Sequence, residues 1–126
     1  MEFSELLNKF LATIDEILTL IDTGEDKNQA KLNLVNAAYL NFAAIAAENP
    51  KFKDVFVGSS DGYSSLEEFE KKVEETKLLF GKNGGDFTGD FKKAMKQTIS
   101  DFASGFEFKL TPEKVVELKK LINEGF

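Results

Sequence analysis

The sequence predicts an all-α fold, a single compact bundle of about five helices, and three observations carry that expectation. Apolar residues recur at steps of three and four along most of the chain, the spacing of one helix face. Two capping motifs and a threonine-proline start punctuate those stretches. Only one segment, 106–110, alternates in the two-residue rhythm of a strand, and a lone strand has no partner to pair with. One helical domain is therefore expected over residues 1–126, a length that buries a core without metals or disulfides.

The first helix is expected over 3–22. Phe3, Leu7, Phe10, Ile14, Ile17 and Ile21 follow a heptad-like rhythm, and Leu6, Leu11 and Leu18 widen the stripe before Thr23-Gly24 stops it. The stripe is broader than a coiled-coil seam and favours burial in the chain's own core, while leaving a homodimer through residues 3–21 open. Asp26-x-x-Gln29 reads as a capping box for a second helix, 27–48, ended by Asn49-Pro50. Within it Ala30–Ala47 holds no glycine or proline. Leu32, Val35, Tyr39, Phe42 and Ile45/Ala46 line one face, and Leu34, Ala38, Leu40 and Ala44 extend apolar surface to its flanks. That marks it as the central helix.

After the loop residues Gly58–Gly62, Ser65-x-x-Glu68 (or Ser64-x-x-Glu67) caps a third helix at 65–80. Its buried stripe is Leu66, Phe69, Val73, Thr76 and Phe80, with charged residues on the solvated face. The glycine-rich run 81–85 breaks it. A fourth helix, 89–104, turns Phe91, Ala94/Met95, Thr98/Ile99 and Phe102 inward. An extended connector over 106–110 drops Phe106, Phe108 and Leu110 onto the bundle. Thr111-Pro112-Glu113 then opens the last helix, 112–124, which uses Val115, Leu118, Leu121 and Ile122.

Composition excludes several chemistries. The chain has no histidine, cysteine, tryptophan or arginine, so all sixteen basic residues are lysines. Zinc sites of the usual kind, haem ligation by histidine and Ser-His-Asp or Cys-His nucleophile systems are ruled out. Neither a metal nor a cofactor is expected. Without the bidentate guanidinium, and with a net charge of −6, direct nucleic-acid binding is not expected either. No apolar run is long enough to span a membrane. The acidic opening Met1-Glu2-Phe3 is no signal peptide, and the lack of cysteine fits a cytoplasmic location.

Two glycine motifs fail as binding loops. Asp61-Gly62 followed by Glu68 has the spacing of half a calcium loop, but Val57 stands where the first ligand belongs. Gly84-x-x-x-x-Gly89 has phosphate-loop spacing, but Asp90 replaces the lysine and would repel phosphate. The carboxylates fall on polar helix faces beside lysines, so no catalytic pair is assigned and the chain is not expected to be an enzyme.

What remains is thirteen phenylalanines against two tyrosines. Core filling accounts for those on helix stripes. Phe52, Phe56, Tyr63, Phe87, Phe106 and Phe108 fall in expected loops and are the candidate anchors for a protein partner, since aromatics anchor interfaces. The sequence is read as a non-enzymatic, acidic protein that acts by protein-protein binding, of adaptor, inhibitor, immunity or anti-defence type. The alternative is a carrier of a lipid-like or other apolar ligand in a Phe-lined cavity between helices.

Overall fold

In a computed structural model of the chain, residues 2–21, 26–50, 65–106 and 109–124 are described. They form five helices and no strand: α1 (Phe3–Leu20), α2 (Lys27–Ala47), α3 (Leu66–Lys82), α4 (Phe87–Ser104) and α5 (Pro112–Glu124). The expected five-helix bundle is present, with half of the helix boundaries moved by one or two residues. None of these helices is long and apolar enough to cross a membrane.

Local chemistry explains where the helices begin and end. Ser65 caps α3 by accepting the Glu68 amide at 3.1 Å, and Thr111 caps α5 through the Lys114 amide at 3.4 Å. The expected box at α2 does not form. Asp26 makes no side-chain cap bond, and the Gln29 amide reaches forward to Asn33 Oδ1 at 3.0 Å. Helix α3 ends in a Schellman motif, with Gly84 at φ 81°. The Gly85 amide donates to the Phe80 carbonyl and the Gly84 amide to that of Gly81, both at 3.0 Å. This stop lies two residues later than the sequence suggested, because Gly81 and Lys82 remain helical.

Helix α4 starts at Phe87 rather than Gly89. Asp86 accepts the Gly89 amide at 3.1 Å and so serves as the N-cap. The connector also departs from expectation. The Lys109 amide donates to the Phe106 carbonyl at 3.0 Å, closing a turn where an extended segment was predicted. Phe106 and Leu110 still pack against the core from either side of it.

The core is aromatic. Phe3 of α1, Tyr39 and Phe42 of α2, Phe69 and Phe80 of α3, and Phe87 and Phe91 of α4 are all buried. Phe42 lies against Phe91 in a stacked pair at 5.0 Å. It also meets Phe87 edge-on at 5.0 Å and Phe80 at 5.2 Å. Phe3 sits edge-on to both Phe87 and Phe91 at 5.1 Å. Each buried ring contributes roughly 1.5–3 kcal/mol, and each such pair about 0.5–1.5 kcal/mol beyond its area.

Polar groups within the core are partnered. Asn41 donates to Thr98 Oγ1 at 2.8 Å, tying α2 to α4, and Thr98 returns its own proton to the Ala94 carbonyl at 2.8 Å. Tyr39 and Thr76 share a longer hydrogen bond of 3.5 Å between α2 and α3.

The broadest helix interface is α2 on α4, but α4 is the helix that packs substantially on all four others. The central place expected of α2 is thus shared with α4. Its inner face is Ala30, Leu34, Val35, Ala38, Tyr39, Phe42 and Ala46. Leu40 and Ala44, expected to be enclosed, are exposed. The stripe of α1 is spent inside the bundle, since Phe3, Leu6, Leu7, Phe10, Ile14, Ile17, Leu18 and Ile21 are all buried by the chain itself.

Candidate functional site

Six residues were expected to anchor a partner, and the structure treats them differently. Phe52, Phe56, Tyr63 and Phe108 lie outside the described residues. Phe87 is no loop anchor, because with Asp86 as cap it becomes the first residue of α4. One helical turn then separates it from Phe91, and both rings enter the core, Phe87 with 4% of its surface accessible. Phe106 alone among the described candidates keeps part of its ring at the surface. It rests on Phe102 at 5.1 Å, with the Lys109 ammonium 5.6 Å from its ring centre. The cation over the ring is worth about 0.5–1 kcal/mol in so open a position.

The exposed apolar surface lies elsewhere. Among the described residues, Leu40 (44%), Ile45 (42%), Leu78 (65%), Leu79 (47%) and Val116 (68%) are the large apolar side chains left in solvent. Three of them are isolated among charges. Leu78 and Leu79 sit on a helix surface carrying Glu74, Glu75, Lys71, Lys72 and Lys82, and Val116 is flanked by Glu113, Glu117 and Lys120. Single exposed apolar residues of that kind are ordinary.

Leu40 and Ile45 are different. Residues 32–47 contain no charged side chain in a chain that is 30% charged. Asn33, Leu40, Ala44 and Ala47 recur at helical spacing opposite the core face, and all four are exposed, as is Ile45 beside them. The outer side of α2 is thus an uncharged surface of alanine, leucine, isoleucine and asparagine. Small side chains there let another helix approach closely, and the centres of protein interfaces are depleted in charge. Periodicity placed Ile45/Ala46 on the buried stripe and Leu40 and Ala44 on its apolar flanks, but only Ala46 of these is buried. The missed signal was the charge-free run, which reads as a buried helix until the packing shows that one side is bare.

Every described aspartate and glutamate is exposed or half-buried, Asp15 and Asp90 being the half-buried ones. No group of three carboxylates is close enough to hold a metal ion among the described residues. The phosphate-loop spacing is absorbed by structure, Gly84 closing α3 and the Gly89 amide being taken by Asp86. Comparison with family models, curated proteins and solved structures yields no match.

Proposed function

We propose that the chain is a non-enzymatic domain that works by binding another protein through the outer face of α2, in the manner of an adaptor or inhibitor. The observation that carries this reading is the bare, charge-free surface around Leu40, Ala44 and Ile45 on a protein otherwise dense in charge. Burying that surface removes apolar area from water and desolvates no ion, so the usual cost of closing an interface is low. The net charge of −6 and the absence of arginine favour a protein partner over a nucleic acid, and the lack of cysteine fits a cytoplasmic setting.

Support over the carrier alternative comes from the interior. Around Phe87 and Phe91 the rings of α1, α2 and α4 lie on one another at centroid distances of 5.0–5.4 Å, and those of α3 stand at 6.1–6.2 Å. Two clefts between described helices, α4–α5 and α1–α5, are open surface grooves lined largely by charged and amide side chains. An apolar ligand would have to displace packed phenylalanines.

The test is affinity capture from the source cell with the wild-type chain and with a Leu40→Glu/Ile45→Glu variant, whose thermal unfolding is checked first. A protein retained in stoichiometric amount by the wild type and lost from the folded variant is the expected result. Equal retention by both, or none by either, rejects this face as the site.

A further inference from the structure

Helix α5 divides two grooves of opposite character. On its α1 side the groove is lined by Glu16, Glu117, Glu124, Lys120 and Leu121. Glu113, Glu117 and Glu124 are spaced by four and seven residues, so the acids of α5 gather on that flank. On its α4 side the groove is lined by Lys93, Lys96, Gln97, Ser100, Ile122 and Asn123, with no carboxylate among the described lining residues. No acid occurs on α4 between Asp90 and Asp101, and Asp101 accepts the Gln97 side-chain amide at 2.8 Å.

We propose that the α4–α5 groove is a docking site for an acidic peptide segment of a partner protein. Lys93 and Lys96 stand three residues apart on one helix, which places their Cβ atoms about 5–6 Å from each other. Two ammonium groups at that spacing can hold one carboxylate between them or neighbouring carboxylates of an extended segment. Gln97, Ser100 and Asn123 supply donors and acceptors for a peptide backbone. The half-buried Ile122 gives an apolar side chain of the segment a floor.

Charge segregation along the chain makes this site tenable on an acidic protein. Residues 2–26 carry seven acids and one lysine, a balance of −6 that accounts for the whole net charge. Residues 27–126 are electrically balanced. At physiological ionic strength charges beyond about 8 Å are largely screened, so the lining of the groove outweighs the net charge. The inference shares with the preceding one only the premise that the chain binds protein. It uses other helices and a defined probe, so either can fail alone.

The test is titration of the ¹⁵N-labelled full chain, followed by NMR, with an acetylated and amidated peptide Glu-Glu-Leu-Asp-Glu-Leu. The controls are the Gln/Asn counterpart of that peptide and inorganic phosphate. Shifts confined to the amides of 93–100 and 119–124 are expected with the acidic peptide alone. Lys93→Glu/Lys96→Glu should weaken binding by about tenfold or more, as loss of charged hydrogen bonds implies. Both lysines are exposed, and Lys93→Gln/Lys96→Gln serves if charge reversal disturbs folding. The proposal is overturned by no shifts, by equal shifts with the neutral peptide, by phosphate reproducing them, or by unchanged affinity in the variants. Concentration-dependent shifts at the groove without peptide would overturn it in favour of a second copy.

Discussion

At the scale of single residues, the positions that matter most are those where a side chain has no room to change. Gly85 follows the C-cap of α3, and a Cβ built there overlaps the Phe80 ring, itself wholly buried. Gly85→Ala is expected to cost about 1–3 kcal/mol, as overpacking does, read as a lower midpoint in urea unfolding. The change should leave the capped start of α4 intact. Phe91 touches rings from three other helices, so Phe91→Ala is expected to cost about 3–5 kcal/mol and to approach loss of folding at ordinary temperature. Thr98 is a quieter case. Thr98→Val keeps the shape but leaves the Asn41 amide, now bonded at 2.8 Å, without its acceptor in a half-buried place. A cost near 1–2 kcal/mol is expected, and the double variant with Asn41→Leu should recover part of it.

At the scale of elements, the five helices are not equally held. Helix α5 contributes a single fully buried side chain, Leu118, whereas α2 and α4 each bury seven residues. Native-state hydrogen exchange should therefore find α5 opening at much lower free energy than α2 and α4. Exchange of α5 only at the global unfolding rate would refute this ranking. Between α1 and α2 the Asp15–Lys31 ion pair at 2.6 Å looks strong, yet nearly half of the Asp15 side chain is in solvent. Asp15→Asn should cost less than about 1 kcal/mol, and the difference should vanish in 1 M salt. The elements themselves were legible in the sequence wherever a stripe and a cap agreed, as with Ser65 before α3 and Thr111 before α5. Asp26-Gln29 had the right letters, but the Gln29 side chain turns forward to donate to Asn33 Oδ1 instead of back to accept the Asp26 amide, and Asp26 makes no side-chain cap bond. The sequence places the start of α4 two residues late because Thr88 and Asp90 also read as helix starts, whereas Asp86 caps the helix and Phe87 packs against Phe3 and Phe42.

At the scale of the whole molecule, the arrangement of charge follows from the arrangement of helices. Net charge is a property of composition, but the basic α4–α5 groove exists only because α5 turns its glutamates toward α1. The lysine pairs Lys92-Lys93 and Lys119-Lys120 look dispersed among acids along the chain, and folding sorts them. In the same way the charge-free run 32–47 has two opposite faces, and α4 covers one of them most broadly. A protein so built is expected to lose partner capture on Leu40→Glu/Ile45→Glu with its melting temperature little changed, since exposed helix positions seldom cost more than about 0.5 kcal/mol.

By itself the sequence determined the helical class, the number of helices, most of their limits and most of the core, because local propensity, capping and periodicity are short-range and act on neighbours along one chain. It also excluded the chemistry of histidine, cysteine and arginine outright. Tertiary structure alone decided that α4 is the shared element, that Phe87 is core and that the outer side of α2 is bare. Those outcomes depend on which surfaces meet, and an apolar residue on a helix looks the same in sequence whether another helix covers it or water does.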